Sequence, residues 1–215
     1  SPVAHANALA SVLFVKSAFA KRKTLTPVSS NDEMRSTKFK LMSYMYELLL
    51  VSQSPRRRDL LTDAGYLFRS DSVKVSEIID ENVNLPEAIS KLARYKAQAY
   101  LDIHKSLKGQ KILVLSADTV VVLDDQVLGK PESVEQACQF LRRMSGREHQ
   151  VMTGISLISL DDGREYQGTE VSHVVFRDLS DEEIRNYVAT GEPMDKAGAY
   201  GLQGQGRQLV AEFKG

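Results

Sequence analysis

The chain has 215 residues, enough for one ordinary domain or two small ones, with a core that needs no staples. Its 42% hydrophobic and 26% charged residues describe a globular protein, and 28 basic against 28 acidic residues leave no excess charge to hold it on nucleic acid. One cysteine, Cys138, excludes a disulfide framework and any multi-cysteine zinc site, and no apolar run reaches the roughly 18 residues of a membrane span.

Residues 1–46 show no clear strand or helix pattern. The first 30 contain Lys16, Lys21, Arg22 and Lys23, no acidic residue, and Ser and Ala throughout, which is the composition of an organelle transit peptide. A short apolar run at 9–15 also fits a weak signal-peptide core, and the segment otherwise reads as an unstructured extension. The domain division is therefore an extension, 1–46, and a folded domain from 47 onward. The expected location is the cytoplasm, with the mitochondrion as the alternative that this basic start raises.

From Glu47 the chain alternates strands and helices. Residues 47–52 form a short apolar run, as expected of a buried strand. Ser54 then suits the N-cap position and Pro55 the first helical residue, with Gly65 as the stop. A second strand is predicted within 66–75 and a longer helix over 86–107. A strand follows at 111–115, and 119–123 continues or follows it, up to a turn at Asp124-Asp125. Pro131 is predicted to open a helix that carries Cys138 on its apolar face and ends at Gly146. Residues 150–160 and 167–177 flank Asp161-Asp162-Gly163 and read as a hairpin. Ser180 and Glu183 form a capping box for a helix to Thr190, and a strand at 208–213 ends the pattern. The order implies α/β or α+β, built on one mixed sheet.

Four constellations have chemical potential. Ser52-Gln53-Ser54-Pro55-Arg56-Arg57 lies where a strand meets a helix start, whose free N–H groups and adjacent guanidinium make an anion site. In the 86–107 helix, Lys96 falls in the apolar stripe, four residues from both Leu92 and Tyr100. An inward lysine must snorkel or meet a carboxylate or a phosphate. Asp118, flanked by strand-like apolar residues, has no folding reason to be there and reads as a base, a metal ligand or half of an ion pair. Glu77, Asp80, Glu81 and Lys130 are its candidate partners, and an oxygen-rich set would suit Mg²⁺ or Mn²⁺. The fourth is the glycine-rich tract 191–204, where Gly198, Gly201 and Gly204 allow close backbone approach and Gln203 offers an amide donor and acceptor. Each also has a structural reading, from a capped helix with solvated arginines to a loop with turn glycines.

In order and approximate spacing, Ser52-Gln53-Ser54-Pro55-Arg56-Arg57, Ala117-Asp118-Thr119, Gly129-Lys130-Pro131, Leu141-Arg142-Arg143-Met144-Ser145-Gly146 and the 191–204 tract resemble the Maf family of nucleoside triphosphate pyrophosphatases. The resemblance runs from about Leu48 to Phe213. It implies an α/β fold in which an extended, bent mixed β-sheet flanked by helices surrounds a central cleft, as in inosine-triphosphate pyrophosphatases. It also implies hydrolysis of nucleotides at the α–β phosphate bond, with a divalent metal cation, Mg²⁺ or Mn²⁺, as cofactor. Relatives continue through a further strand and helix beyond the position of Gly215, so the domain 47–215 reads as incomplete at its C-terminal end.

By the same resemblance, Asp118 corresponds to the proton acceptor and a metal ligand, and Glu81 to a second acidic position near the metal. Ser54 and Arg56 correspond to phosphate-contacting positions. Arg56, Thr119 and Gln203 correspond to those linked to substrate choice, and Lys96 and Lys130 to lysines of the cleft. The tract Gly-Glu-Pro-Met-Asp-Lys-Ala-Gly-Ala-Tyr-Gly resembles the branch acting on dTTP and UTP. A methylated-GTP or ITP-type house-cleaning pyrophosphatase is the alternative, and a non-catalytic, nucleotide-binding regulator of cell division is a third reading. The expected partner is a nucleoside triphosphate, with no nucleic acid, no membrane and a possible homodimer.

Overall fold

The computed structural model describes residues 46–214, apart from 77 and 81. The expectations for residues 1–45, Glu77 and Glu81 lie outside the described residues. In chain order, β1 (Glu47–Val51) leads to α1 (Pro55–Asp63), β2 (Phe68–Asp71), α2 (Leu85–Ile103), β3 (Ile112–Leu123), β4 (Gln126–Leu128) and α3 (Val134–Met144). Then come β5 (Glu148–Ser159), β6 (Glu165–Phe176), α4 (Asp181–Ala189) and β7 (Val210–Lys214). The strands form a seven-stranded sheet in the order β2-β1-β3-β5-β6-β7, with β4 paired to β3. It is mixed, because β1 runs parallel to β2 and β3, while β3–β4 and β6–β7 are antiparallel. Among the described residues, no helix is long and apolar enough to cross a membrane.

Several boundaries differ from expectation for local reasons. Residues 119–123 continue the strand before them, giving one strand of 12 residues, since no glycine or proline interrupts 112–123. Its turn is tight because Asp124 and Asp125 both take positive φ, 52° and 60°, which lets β4 fold straight back. The helix expected from Pro131 starts at Val134, where the Ser133 hydroxyl accepts the Gln136 N–H at 3.1 Å. The long helix ends at Ile103, because His104 leaves helical geometry and a single 3₁₀ turn, Lys105–Leu107, follows. The Ser180–Glu183 capping box forms as expected.

Two compact units make up the chain. One comprises residues 46–118 with Gly154–Gly168. Here side-chain alternation splits the strands between two apolar clusters. Leu48, Leu50, Leu113, Leu115, Ala117, Ile155 and Leu157 pack with Leu61 of α1, whereas Leu49, Val51, Ile112, Val114 and Ile158 pack with Ala97 and Tyr100 of α2. Thus the even-numbered residues of β3 face α2, and Asp118 shares their parity. The other unit, Thr119–Thr153 with 169–214, has one core, in which Leu141 and Met144 of α3 and Ile184 and Val188 of α4 meet Val121, Val151, Val174 and Phe176 of the strands.

Gly154 lets α2 sit close to the sheet, since a Cβ there would lie 2.4 Å from the Ile89 carbonyl oxygen. The Ser116 hydroxyl fixes the same helix by donating to the Ala93 carbonyl at 2.6 Å. Gly154→Ala should therefore cost about 1–3 kcal/mol of stability, because a packed helix has to move to admit the methyl group. Gly129→Ala, with nothing within 4 Å of the added Cβ, should stay within about 0.5 kcal/mol of wild type. Urea denaturation of the two variants beside wild type checks both values.

Candidate active site

The strand-to-helix junction presents two adjacent arginines, Arg56 and Arg57, that differ in their contacts. Ser54 has N-cap backbone geometry, yet its hydroxyl makes no capping bond, so side chains leave the first-turn N–H groups of α1 uncovered. Ser52 behind it is buried, and its hydroxyl accepts from the Ser54 N–H at 3.2 Å and from Arg57 Nη1 at 3.0 Å. Arg57 Nη1 also donates to the Ala117 carbonyl oxygen at 2.8 Å, which ties α1 to β3 one residue before Asp118. The Arg56 guanidinium is half-buried and has no hydrogen bond or ion pair among the described residues. The junction therefore keeps Ser54, Arg56 and a helix start available to an anion. Arg57 is the residue that sequence reasoning did not single out, since nothing distinguishes adjacent arginines until the fold gives one of them two oxygen acceptors.

Lys96 and Asp118 meet. Helical periodicity turns Lys96 inward, between the buried Leu92 and Tyr100, and strand alternation turns Asp118 toward α2. The Lys96 ammonium donates to Asp118 Oδ1, with only 14% and 10% of the two side chains exposed. The inward lysine is thus partnered by a carboxylate rather than snorkelling. Asp118 Oδ2 carries no hydrogen bond among the described residues, and this oxygen faces the question of a metal. No group of three or more His, Cys, Asp or Glu side chains that could hold a metal occurs among the described residues. One free carboxylate oxygen fits instead an ion that keeps water or phosphate oxygens as its other ligands.

The second unit carries Thr119, Lys130 and Gln203. The Thr119 hydroxyl lies 3.1 Å from that of Thr153 on β5. Lys130 is exposed, just after Gly129, whose carbonyl accepts the Gly198 N–H at 3.0 Å and so joins its loop to the glycine-rich tract. That tract holds two short 3₁₀ turns, Glu192–Asp195 and Ala197–Ala199, and a third, Gln205–Leu209, follows it. At its first turn Glu192 accepts from the Tyr187 hydroxyl at 3.0 Å and from the Gln205 and Gly206 N–H groups at 2.9 and 3.3 Å. A Cβ on Gly204 would lie 2.4 Å from the same carboxylate, so a larger residue there would have to displace the Glu192 side chain.

Lys196 is inward as well, with its ammonium on the Glu192 carbonyl at 2.5 Å and the Asp195 carboxylate at 2.6 Å. His149 anchors the middle of the tract through Nε2 and the Tyr200 hydroxyl, 2.7 Å apart, and burial pushes its pKa down to about 4. Gln203, exposed, follows this anchored stretch. No sequence signal marked Glu192 or His149 as the groups that order these glycines.

An uncapped, arginine-flanked helix start and an inward lysine on a strand carboxylate are groups suited to meeting an anion. The chain is a member of the Maf-like protein family, whose family model matches residues 47–215. It is 45% identical over 168 residues to a dTTP/UTP pyrophosphatase of Bdellovibrio bacteriovorus, covering 78% of this chain and 88% of that protein. It is 44% identical over 169 residues to a dTTP/UTP pyrophosphatase of Desulfitobacterium hafniense, covering 78% and 76% of the two chains. A solved nucleoside-triphosphatase / dITP/XTP pyrophosphatase from Mycobacterium abscessus shares 11% identity at a TM-score of 0.34, covering 60% of this chain and 72% of that one. That likeness is too remote to carry an argument.

The ion pair can be tested apart from any activity. Lys96→Met keeps the helix face filled but leaves Asp118 without its cation, which should cost on the order of 3 kcal/mol. Adding Asp118→Asn should recover part of that loss, giving a coupling of about 0.5–3 kcal/mol in a double-mutant cycle of chemical denaturation. Strictly additive losses would show that the two side chains do not support each other.

Proposed function

We propose that the protein is a nucleoside triphosphate pyrophosphatase that hydrolyses the α–β phosphate bond of dTTP and UTP, releasing the monophosphate and pyrophosphate. The observation that carries the reading is the buried carboxylate Asp118 held by an inward lysine, in a member of a family whose relatives are named for this reaction. Asp118 accepts the proton of the attacking water. Lys96 holds that carboxylate in position and, with Lys130, offsets charge on the phosphate chain. Arg56 grips a phosphate edge, and Ser54 offers a hydroxyl at the same helix start.

Gln203 reads the pyrimidine edge, where a carbonyl and an N–H match its side-chain amide, and Thr119 and Arg56 set how far the base and phosphates enter. A divalent cation, Mg²⁺ or Mn²⁺, bound by Asp118 with Glu81 as a second ligand, would supply charge neutralisation for the phosphates. We further place the enzyme in the cytoplasm and treat a homodimer as its form in solution.

The test is kcat/KM across dTTP, UTP, CTP, GTP, ITP and 7-methyl-GTP with Mg²⁺ or Mn²⁺ supplied. dTTP and UTP should lead the series. Asp118→Asn should lose on the order of 10²–10⁴ in rate on them. A preference for 7-methyl-GTP or ITP would move the protein to the house-cleaning alternative, and near-normal turnover by Asp118→Asn would remove Asp118 from the chemistry.

A further inference from the structure

We propose that Asp71 is a positioning residue for Asp118, acting through the Tyr100 hydroxyl to hold α2, and with it the Lys96 ammonium, in place on the sheet. The inference rests on the role proposed for Asp118. Val51 of β1 pairs with Asp71 of β2 on one side and with Ser116 of β3 on the other, so the three residues form one row across parallel strands. α2 is bonded to both ends of that row. The Ser116 hydroxyl donates to the Ala93 carbonyl at 2.6 Å, and the Tyr100 hydroxyl donates to Asp71 Oδ2 at 2.8 Å. Seven helical residues rise about 10.5 Å and two strand spacings cover about 9.6 Å, so the helix segment and the row match in length. Lys96 lies between the two attachments, one turn before Tyr100.

A bond at Ala93 alone leaves the following turns of α2 to pivot about it. Arg94, paired with Glu165 at 3.0 Å, adds a tie at the same level and not beyond Lys96. The Tyr100–Asp71 bond supplies the second fixed point. Asp71 is itself held at two further atoms, since Oδ1 accepts the Ser72 N–H at 2.8 Å and its carbonyl accepts the Ser52 N–H at 2.9 Å, where β1 enters the arginine junction. The Ser72 N–H and the Tyr100 hydroxyl hold its carboxyl below the usual carboxylate range, so the bond to Tyr100 is charge-assisted. The Tyr100 ring is 4% exposed and stacked on His104, with 4.0 Å between centroids. A phenylalanine would fill this place as well, so packing does not explain the hydroxyl. Asp71 is exposed and needs no partner from the core. The bond therefore serves position. Without it the Lys96–Asp118 pair still forms, but no longer in one fixed place.

Tyr100→Phe and Asp71→Ala in the full chain test the inference through kcat and KM for dTTP with Mg²⁺, beside urea denaturation to show that each variant is folded in the assay. Each should lower kcat roughly 10-fold, inside the about 10²-fold that a 1 Å misplacement costs, with kcat/KM falling in step and KM unchanged. Asp71→Asn keeps the acceptor oxygen and should retain most of the wild-type kcat. The double variant should lose no more than either single one, because both remove the same bond. In an Asp118→Asn background, Tyr100→Phe should lower kcat no further. Wild-type kcat in Tyr100→Phe or Asp71→Ala overturns this inference alone, as does an Asp71→Asn variant as slow as Asp71→Ala, or an undiminished effect of Tyr100→Phe in the Asp118→Asn background. A wild type that releases no pyrophosphate from dTTP overturns the proposed function and this inference with it.

Discussion

A lysine and an aspartate that face each other inside an otherwise apolar contact set the terms for the unit containing β1 and α2. Two ions that are mostly hidden from water lose hydration that their mutual attraction offsets only when geometry is good, and an apolar pair of similar volume would often fold as well or better. The α2 face of the sheet is built from Leu49, Val51, Ile112 and Val114, so the next even-numbered positions of β3 would have been satisfied by more of the same. Ser116 and Asp118 stand there instead. Ser116 has a structural use, since it holds a helix carbonyl. The Lys96–Asp118 pair acquires a use only when something outside the core calls on the carboxylate.

The surrounding elements serve the placement of that pair. Gly154 and Ser116 fix how closely α2 approaches β3 and β5, and therefore where the Lys96 ammonium ends. Arg57 fixes the carbonyl that precedes Asp118 and, through Ser52, the start of α1. One guanidinium so links the helix start that leaves Arg56 free to the strand that bears the carboxylate. In the other unit Glu192 and His149 order a tract whose glycines leave little side chain of their own to pack.

Much of this was legible in the residues. Period 3.6 placed Lys96 inward and period 2 marked Asp118 as a misplaced charge, because both depend only on local geometry. Pairing the two required knowing that α2 packs on the even-numbered face of β3, which is a tertiary fact. The choice between Arg56 and Arg57 was hidden for the same reason. The start of α3 at Ser133 rather than Pro131 was a local choice read one turn too early, as the serine side chain outcompeted the proline signal. The ordered glycine tract was beyond reach, since Glu192 and Tyr187 come together through the close of α4 rather than through any spacing.

The roles proposed for Asp118, Lys96, Lys130 and Arg56 would serve attack on a phosphoanhydride. They do not by themselves say which anhydride breaks, and the account commits to the one between the α and β phosphates. The most direct measurement is ³¹P NMR of dTTP turned over by the purified full chain with Mg²⁺. The account predicts dTMP and pyrophosphate rising together, with no dTDP and no orthophosphate at early times. Formation of dTDP and orthophosphate, or no consumption of any nucleoside triphosphate with Mg²⁺ or Mn²⁺ present, would contradict it.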